Sequence, residues 1–164
     1  MTIEYLADRQ EFVPVVAKWL HDEWGHLRSG DTIETRAARI ERNCGHCEIP
    51  TSCVATEVDE GVGCASLIEN DMETRPELSP WLAGVFVPAA HRGRGIGTAL
   101  ITRVLEEAQT LCVPRIYLYT PGPGTLYRRL GWNFVERTFY RPLWKDQQVT
   151  IMERAIASAK KSAT

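Results

Sequence analysis

The sequence predicts an α/β fold with a mixed sheet, and three observations carry that reading. Residues 51–57 are β-branched and rich in Val and Thr, and a turn at Asp59-Glu60-Gly61 joins them to a second strand at 62–68. Within 80–88, residues 81–87 (Trp-Leu-Ala-Gly-Val-Phe-Val) are almost continuously apolar, the pattern of a strand buried on both faces. The chain then runs through its clearest helical pattern at 95–111 and returns to strand at 115–120. That succession predicts two parallel strands joined by a right-handed crossover.

The other elements follow in chain order. Residues 2–6 alternate like a short strand. Asp8 is placed to cap a helix over 9–24, where Phe12, Val15, Val16, Trp19 and Leu20 repeat with a helical period. Pro14 fits that helix only within its first turn, where a missing N–H costs little. A loop at 25–30 leads to a second helix, capped by Asp31 or Thr32 with Glu34 or Thr35 in its first turn. Its many charges and the thin stripe of Ile33, Ala37 and Ile40 predict a surface position, and Pro50 closes the region. A polar loop, 69–79, follows the hairpin. In the 95–111 helix, Ile96, Leu100, Val104, Ala108 and Leu111 form one stripe, widened by Ile101 and Leu105. A short helix at 125–130 ends at Gly131, which suits the left-handed position after a helix. Strands at 133–140 and 148–153 make a final hairpin around a loop containing Lys145 and Asp146. The predicted order is β-α-α-β-β-β-α-β-α-β-β.

A length of 164 residues without repeats predicts one domain over 1–164. A net charge of −2 gives no electrostatic footprint for nucleic acid. No apolar stretch is long enough to span a bilayer, and the opening MTIEYLADRQ lacks the basic and apolar regions of a secretory signal. A cytoplasmic location without a membrane partner is therefore expected. Five cysteines, an odd number spread along the chain, predict reduced thiols rather than a disulfide framework. Cys44-Gly45-His46-Cys47, with Cys53 nearby, invites a zinc reading. No second Cys-x-x-Cys completes a tetrahedral site, and His46 lies inside the pair, so no metal is expected.

The segment His91-Arg92-Gly93-Arg94-Gly95-Ile96-Gly97-Thr98 stands between a strand and a strong helix. Its glycines allow a tight turn whose N–H groups form an anion nest, and the helix adds unpaired N–H groups and its positive dipole end. A phosphate or pyrophosphate suits such a place, and Arg92 and Arg94 can add charge-assisted bonds. A plain strand-to-helix turn needs neither three alternate glycines nor two arginines. A dinucleotide fingerprint needs its third glycine three residues after the second, whereas Gly97 follows Gly95 by two. The acidic residue that fingerprint expects is also missing from Tyr119-Thr120-Pro121.

Arg92-x-x-Gly95-x-Gly97 resembles the Arg/Gln-x-x-Gly-x-Gly/Ala signature of the GNAT N-acetyltransferases. The lead-in Val87-Pro88-Ala89-Ala90-His91 and the helix over 98–111 resemble that family too. So does Leu126-Tyr127-Arg128-Arg129-Leu130-Gly131-Trp132, against the usual Leu-Tyr-x-x-x-Gly-Phe. The resemblance implies a GNAT-like α/β fold with a mixed, mostly antiparallel sheet, and acetyl-CoA as cosubstrate. It assigns the pyrophosphate to Arg92, Gly93, Arg94, Gly95, Ile96, Gly97 and Thr98. It assigns the pantetheine arm to the backbone of Val85, Phe86 and Val87, pairing like an added strand. A bulge there would free an N–H to polarise the thioester carbonyl. Tyr127 takes the place of the family's general acid, which protonates the departing CoA thiolate. Where the family often has Asn and Ala seven and four residues before that tyrosine, this chain has Thr120 and Pro123. The contact usually made by Asn thus falls to Thr120, water or backbone.

The implied reaction moves an acetyl group to a primary amine of a small molecule, peptide or protein by direct attack, in a monomer or homodimer. The alternative is a non-catalytic CoA-binding sensor of the same fold, and Tyr127 favours the enzyme. An alkyl ammonium must lose a proton before attack. The base stays open between Glu69, Asp71, Glu73, Asp22, Glu23, His26 and a water chain. Trp24, His26, Trp81 and Tyr140 line an acceptor cleft or pack as core. Gly25-His26, Arg75 and the loop 69–79 favour an open cleft and a peptide-type acceptor.

Overall fold

Alternation and β-branching give strands close to their predicted places. The computed structural model describes residues 1–140 and 148–157, so the expected loop at Lys145 and Asp146 lies outside the described residues. The strands are β1 (Thr2–Tyr5), β2 (Thr51–Glu57), β3 (Glu60–Ile68), β4 (Trp81–Phe86), β5 (Arg115–Pro121), β6 (Asn133–Phe139) and β7 (Gln148–Ala155). The helices are α1 (Val13–Trp24), α2 (Ile33–Arg42), α3 (Ile96–Thr110) and α4 (Thr125–Arg129). One sheet runs β1-β2-β3-β4-β5-β7-β6, and every pairing is antiparallel except β4 with β5. The predicted α/β class, element order and parallel crossover are all present.

The sheet carries helices on both faces. On one, Ile96, Leu100, Ile101, Val104 and Ala108 of α3 pack against Cys53, Ala55, Ala65, Leu67, Ile116 and Leu118. On the other, Val13, Val16, Ala17 and Leu20 of α1 and Ile40 of α2 pack against Val54 and Cys64. Each large aliphatic side chain buried this way contributes about 1.5–3 kcal/mol.

Four local details differ from expectation. The α1 helix begins at Val13, because 3-10 turns at Leu6–Asp8 and Gln10–Phe12 are broken at Arg9 (φ −130°, ψ 48°). That break lets both Leu6 and Phe12 reach the core, and Pro14 falls in the first turn as predicted. Asp8 caps nothing; its Oδ1 lies 2.7 Å from Nε2 of His46. Of the two caps expected for α2, Thr32 is the one used, in a reciprocal box in which Oγ1 of Thr32 accepts from the Thr35 N–H (3.1 Å) and Oγ1 of Thr35 accepts from the Thr32 N–H (3.0 Å). The β2–β3 turn is Val58-Asp59, one residue earlier than expected. Both residues have positive φ (45° and 63°), as a two-residue hairpin of type I′ requires, and a register shift after Ala55 absorbs the odd residue.

The fourth difference shapes the site. Strand β4 is fully buried only at Trp81 and Leu82, and Ala83–Phe86 are partly exposed. Pairing of β4 with β5 is confined to Trp81 opposite Tyr117. Past that pair the two parallel strands diverge, and their apolar faces line a cleft instead of a closed core.

Candidate active site

Gly95 is in the left-handed region (φ 80°, ψ 4°) and forms the N-cap of α3, where no side chain caps the helix. The first N–H groups of α3 therefore face the turn without a side-chain acceptor. A Cβ built on Gly93 or Gly95 meets no atom within 4 Å, and one on Gly97 meets only the Val87 side chain at 3.8 Å. The turn is an open trough of backbone. The side chain of Ile96 points into the core, so only its backbone belongs to the trough, while Thr98 is exposed. The guanidinium of Arg92 donates through Nε to the Val87 carbonyl (2.9 Å) and lies 5.9 Å from the Phe86 ring centre. Arg94 is committed elsewhere: its Nη2 donates to both Glu57 carboxylate oxygens (3.0 and 2.8 Å). That pairing holds the Glu57 carboxyl below the usual carboxylate range. Of the two arginines, Arg92 is the one whose charge has no carboxylate partner among the described residues.

Strand β4 leads into this trough. Opposite β3, Cys64 faces Phe86 and Ser66 faces Ala83, so β4 carries one residue more than its partner, and Gly84 sits at φ 59°. The bulge expected near Val85–Val87 is thus centred at Gly84-Val85, and Val87 lies just beyond the strand.

The cleft beside the bulge encloses about 230 Å³. Its walls include Ala83, Gly84 and Val85 of β4, Tyr119 and Thr120 of β5, and Tyr127 of α4. Gly124 lets α4 start beside β7: it has φ 66°, and a Cβ there would lie 2.5 Å from Sδ of Met152. Tyr127 is half-buried, packs edge-on against Trp132 (ring centres 6.1 Å apart), and has its hydroxyl pKa raised by burial. The phenol therefore stays protonated at neutral pH. Oγ1 of Thr120 donates to the Pro121 carbonyl at 3.3 Å.

Among the described residues Asp71 is the one carboxylate on the cavity wall, and burial pushes its pKa up to about 6 against the opposing influence of Arg28. Among the other acid-base candidates, Glu69, Glu73, Glu23 and His26 are exposed and outside the cavity, and Asp22 pairs with Lys18 on the helix surface. Trp24 lines the cavity. Trp81 and Tyr140 do not; both are buried with Met72, Val149 and Ile151. The indole N–H of Trp81 donates to the Leu78 carbonyl (2.7 Å), and the Tyr140 hydroxyl accepts from the Glu73 N–H (3.3 Å). Arg75 turns to β6, where it pairs with Glu136, and takes no part in the cavity. Three charged cavity residues were not among the site residues expected from sequence: Arg28, Arg36 and Arg39. The spacing of Arg36 and Arg39 on one face of α2, just after Asp31, is the signal that could have found them.

The thiols do not converge. The Cys44 thiol donates to the Ile40 carbonyl (3.2 Å), Cys47 lies 3.3 Å from the Tyr5 hydroxyl, and buried Cys53 has its pKa pushed up to about 12. Among the described residues, no group of three or more His, Cys, Asp or Glu is placed to hold a metal ion. Replacing Cys44 and Cys47 together with serine is expected to cost at most about 1–2 kcal/mol in thermal or denaturant unfolding. One zinc per chain by elemental analysis, with collapse of the double variant, would contradict this, because binding energy at a structural zinc is folding energy.

The acetyltransferase (GNAT) domain matches residues 49–133, which run from before β2 through α3, β5 and α4 to the start of β6. No curated protein matches the sequence. Among solved structures, an aminoglycoside 6'-N-acetyltransferase complexed with coenzyme A superposes with a TM-score of 0.77 at 18% identity, covering 97% of this chain and 99% of that one. The aminoglycoside 6'-N-acetyltransferase from Enterococcus faecium gives 0.73 at 17%, covering 97% and 99%. The ribosomal-protein-alanine N-acetyltransferase from Brucella melitensis gives 0.73 at 19%, covering 94% and 99%. At such identities the likeness is one of fold. The matched domain spans more than half the chain and contains both the glycine-rich turn and the tyrosine of α4. The chain belongs to the GNAT acetyltransferase family and is an acyltransferase.

Proposed function

We propose that the chain binds acetyl-CoA along β4 and the turn at 92–98, and transfers the acetyl group to a primary amine seated in the cleft between β4 and β5. One observation carries this reading: the bulged end of β4, the half-buried phenol of Tyr127 and the carboxyl of Asp71 line one cavity. The turn suits a pyrophosphate, since Gly93 and Gly95 leave open the space a Cβ would fill and no side chain occupies the N-terminus of α3. The backbone of Val85, Phe86 and Val87 holds the pantetheine arm, with Thr120 on the opposite wall. Ile96, Gly97 and Thr98 contribute N–H groups, and Arg92 contributes charge beside them.

Acetyl-CoA supplies a thioester whose carbonyl carbon takes the amine. Asp71, ionised above pH about 6, accepts the proton that the acceptor ammonium must lose. The β4 bulge presents an N–H to the carbonyl oxygen, and Tyr127 donates its proton to the departing sulfur.

Replacing Tyr127 with Phe is expected to lower turnover roughly tenfold or more and to leave the KM for acetyl-CoA nearly unchanged, since the hydroxyl acts as charge develops on sulfur. Single-turnover rates are the measurement, and equal rates in both proteins would make Tyr127 a packing residue. The function is tested by incubating the chain with acetyl-CoA and a panel of amines while following free thiol and acetylated product by mass. Tight binding without thiol release for any amine would mark a sensor.

A further inference from the structure

Resting on that acetyltransfer reading, we infer that the acceptor is a small amine carrying a carboxylate, an amino acid rather than a polycation, with Arg28 and Arg39 holding its carboxylate. Among the described residues, the cavity wall bears three arginines, Arg28, Arg36 and Arg39, against one carboxylate, Asp71. Behind the wall stands Asp31, whose side chain is 0% exposed. Its Oδ2 accepts from Nε and Nη2 of Arg36 (2.9 and 2.8 Å) and lies 3.0 Å from Nδ1 of His21. Arg36 is thereby paired through two of its N–H groups. Arg39 is left with the far oxygen, Oδ1, at 3.6 Å, beyond hydrogen-bond reach, and that oxygen has no hydrogen-bond partner among the described residues. One buried carboxylate thus anchors a cluster that it does not neutralise.

Arg39 shows the excess. Burial and the neighbouring charges of Arg28, Arg36 and Arg42 all work against its protonated form, and among the described residues Asp31 is the one that favours it. Arg28 has no ion-pair partner among the described residues and reaches the same cavity from the loop after α1. A guanidinium held among other guanidiniums, facing a cavity, is stabilised by an incoming anion, which it can bind with two parallel hydrogen bonds.

The amine end and the anion end share one cavity, lined by Asp71, Arg28 and Arg39, and Arg28 acts electrostatically on Asp71. A cavity of about 230 Å³ is smaller than the roughly 300–1,000 Å³ typical of drug-sized ligands. An amine at Asp71 with a carboxylate at Arg28 and Arg39 sets opposite charges together on this wall. An aminoglycoside or polyamine would set its further ammonium groups against those arginines, a like-charge contact that disfavours such acceptors.

The test compares matched acceptors: free amino acids, the amides of the same amino acids, aminoalkyl phosphates, a polyamine and an aminoglycoside. Acetyl-CoA affinity is measured by calorimetry on the same samples. The expected result is a kcat/KM at least tenfold higher for a free amino acid than for its amide, although the amide's amine is less basic and more often unprotonated. Arg28→Gln and Arg39→Gln should each reduce that acid-to-amide ratio at least tenfold with acetyl-CoA affinity unchanged. Arg28 makes no ion pair among the described residues, so its variant keeps the fold even if the Arg39 variant does not. Equal or better turnover of the amide, the polyamine or the aminoglycoside overturns the inference while leaving acetyltransfer standing. Preference for the aminoalkyl phosphate overturns the carboxylate assignment. Failure to acetylate any amine, or to bind acetyl-CoA, overturns the acetyltransfer reading and this inference with it.

Discussion

Gly95→Glu is expected to abolish acetyl-CoA binding in a chain that still folds. Gly95 sits at φ 80°, and a Cβ there meets no atom within 4 Å, so the side chain leaves the backbone into open space. Its cost to folding is the left-handed backbone of a non-glycine residue, about 1–2 kcal/mol. Its cost to binding is of another order. The new carboxylate lies in the trough itself, satisfies the free N–H groups that open α3, and repels a phosphate by like charge. Gly95→Ala imposes the same backbone strain without the charge and should lose far less affinity. Calorimetry on the two variants separates strain from electrostatics, and an unchanged affinity in folded Gly95→Glu would remove the pyrophosphate from this turn.

Asp71→Asn is the second large effect. Loss of a positioned general base lowers turnover by roughly 10²–10⁴-fold. In the unaltered protein, kcat/KM should rise with pH through about 6 as Asp71 ionises, and the variant should lack that limb. Stability behaves oppositely. The folded pKa is raised above the unfolded value of about 3.9, so the contribution of the neutral acid is present below that value and is lost as pH rises through about 6. Above pH 6 the asparagine variant should be no less stable than its parent. Turnover within a factor of two of the parent, with the acid limb retained, would exclude Asp71 as the base.

Much of this arrangement is legible in the sequence, and the illegible part has one physical origin. The α3 stripe and the glycine-rich turn are local patterns: a 3.6-residue period and left-handed positions at fixed offsets predict them without knowledge of the rest of the chain. Pro14 and Gly131 are legible for the same reason. The β4 run is not, because an apolar strand reads alike whether its neighbour stays paired or diverges, and the divergence after Trp81 is a property of the whole sheet. Asp71 could not be separated from Glu69 and Glu73, since only tertiary packing buries it. By propensity both Asp31 and Thr32 are good caps, Asp31 the better of the two. The choice fell to Thr32 because His21, Arg36 and Arg39, distant or later in the chain, claim Asp31. Trp81 and Tyr140 read equally as cleft lining or core, and the packing of Met72, Val149 and Ile151 around them decides for core.

The most direct test of acetyl transfer in this cleft is a single-turnover experiment with stoichiometric acetyl-CoA and a carboxylate-bearing amine, quenched in time and read by mass. Direct attack predicts that free CoA and N-acetylated amine appear together, one for one, with no acetylated protein at any time and with the rate slowed by Asp71→Asn. Acetyl-CoA that stays intact beside every amine, or an acetyl group that appears first on the protein, would contradict it.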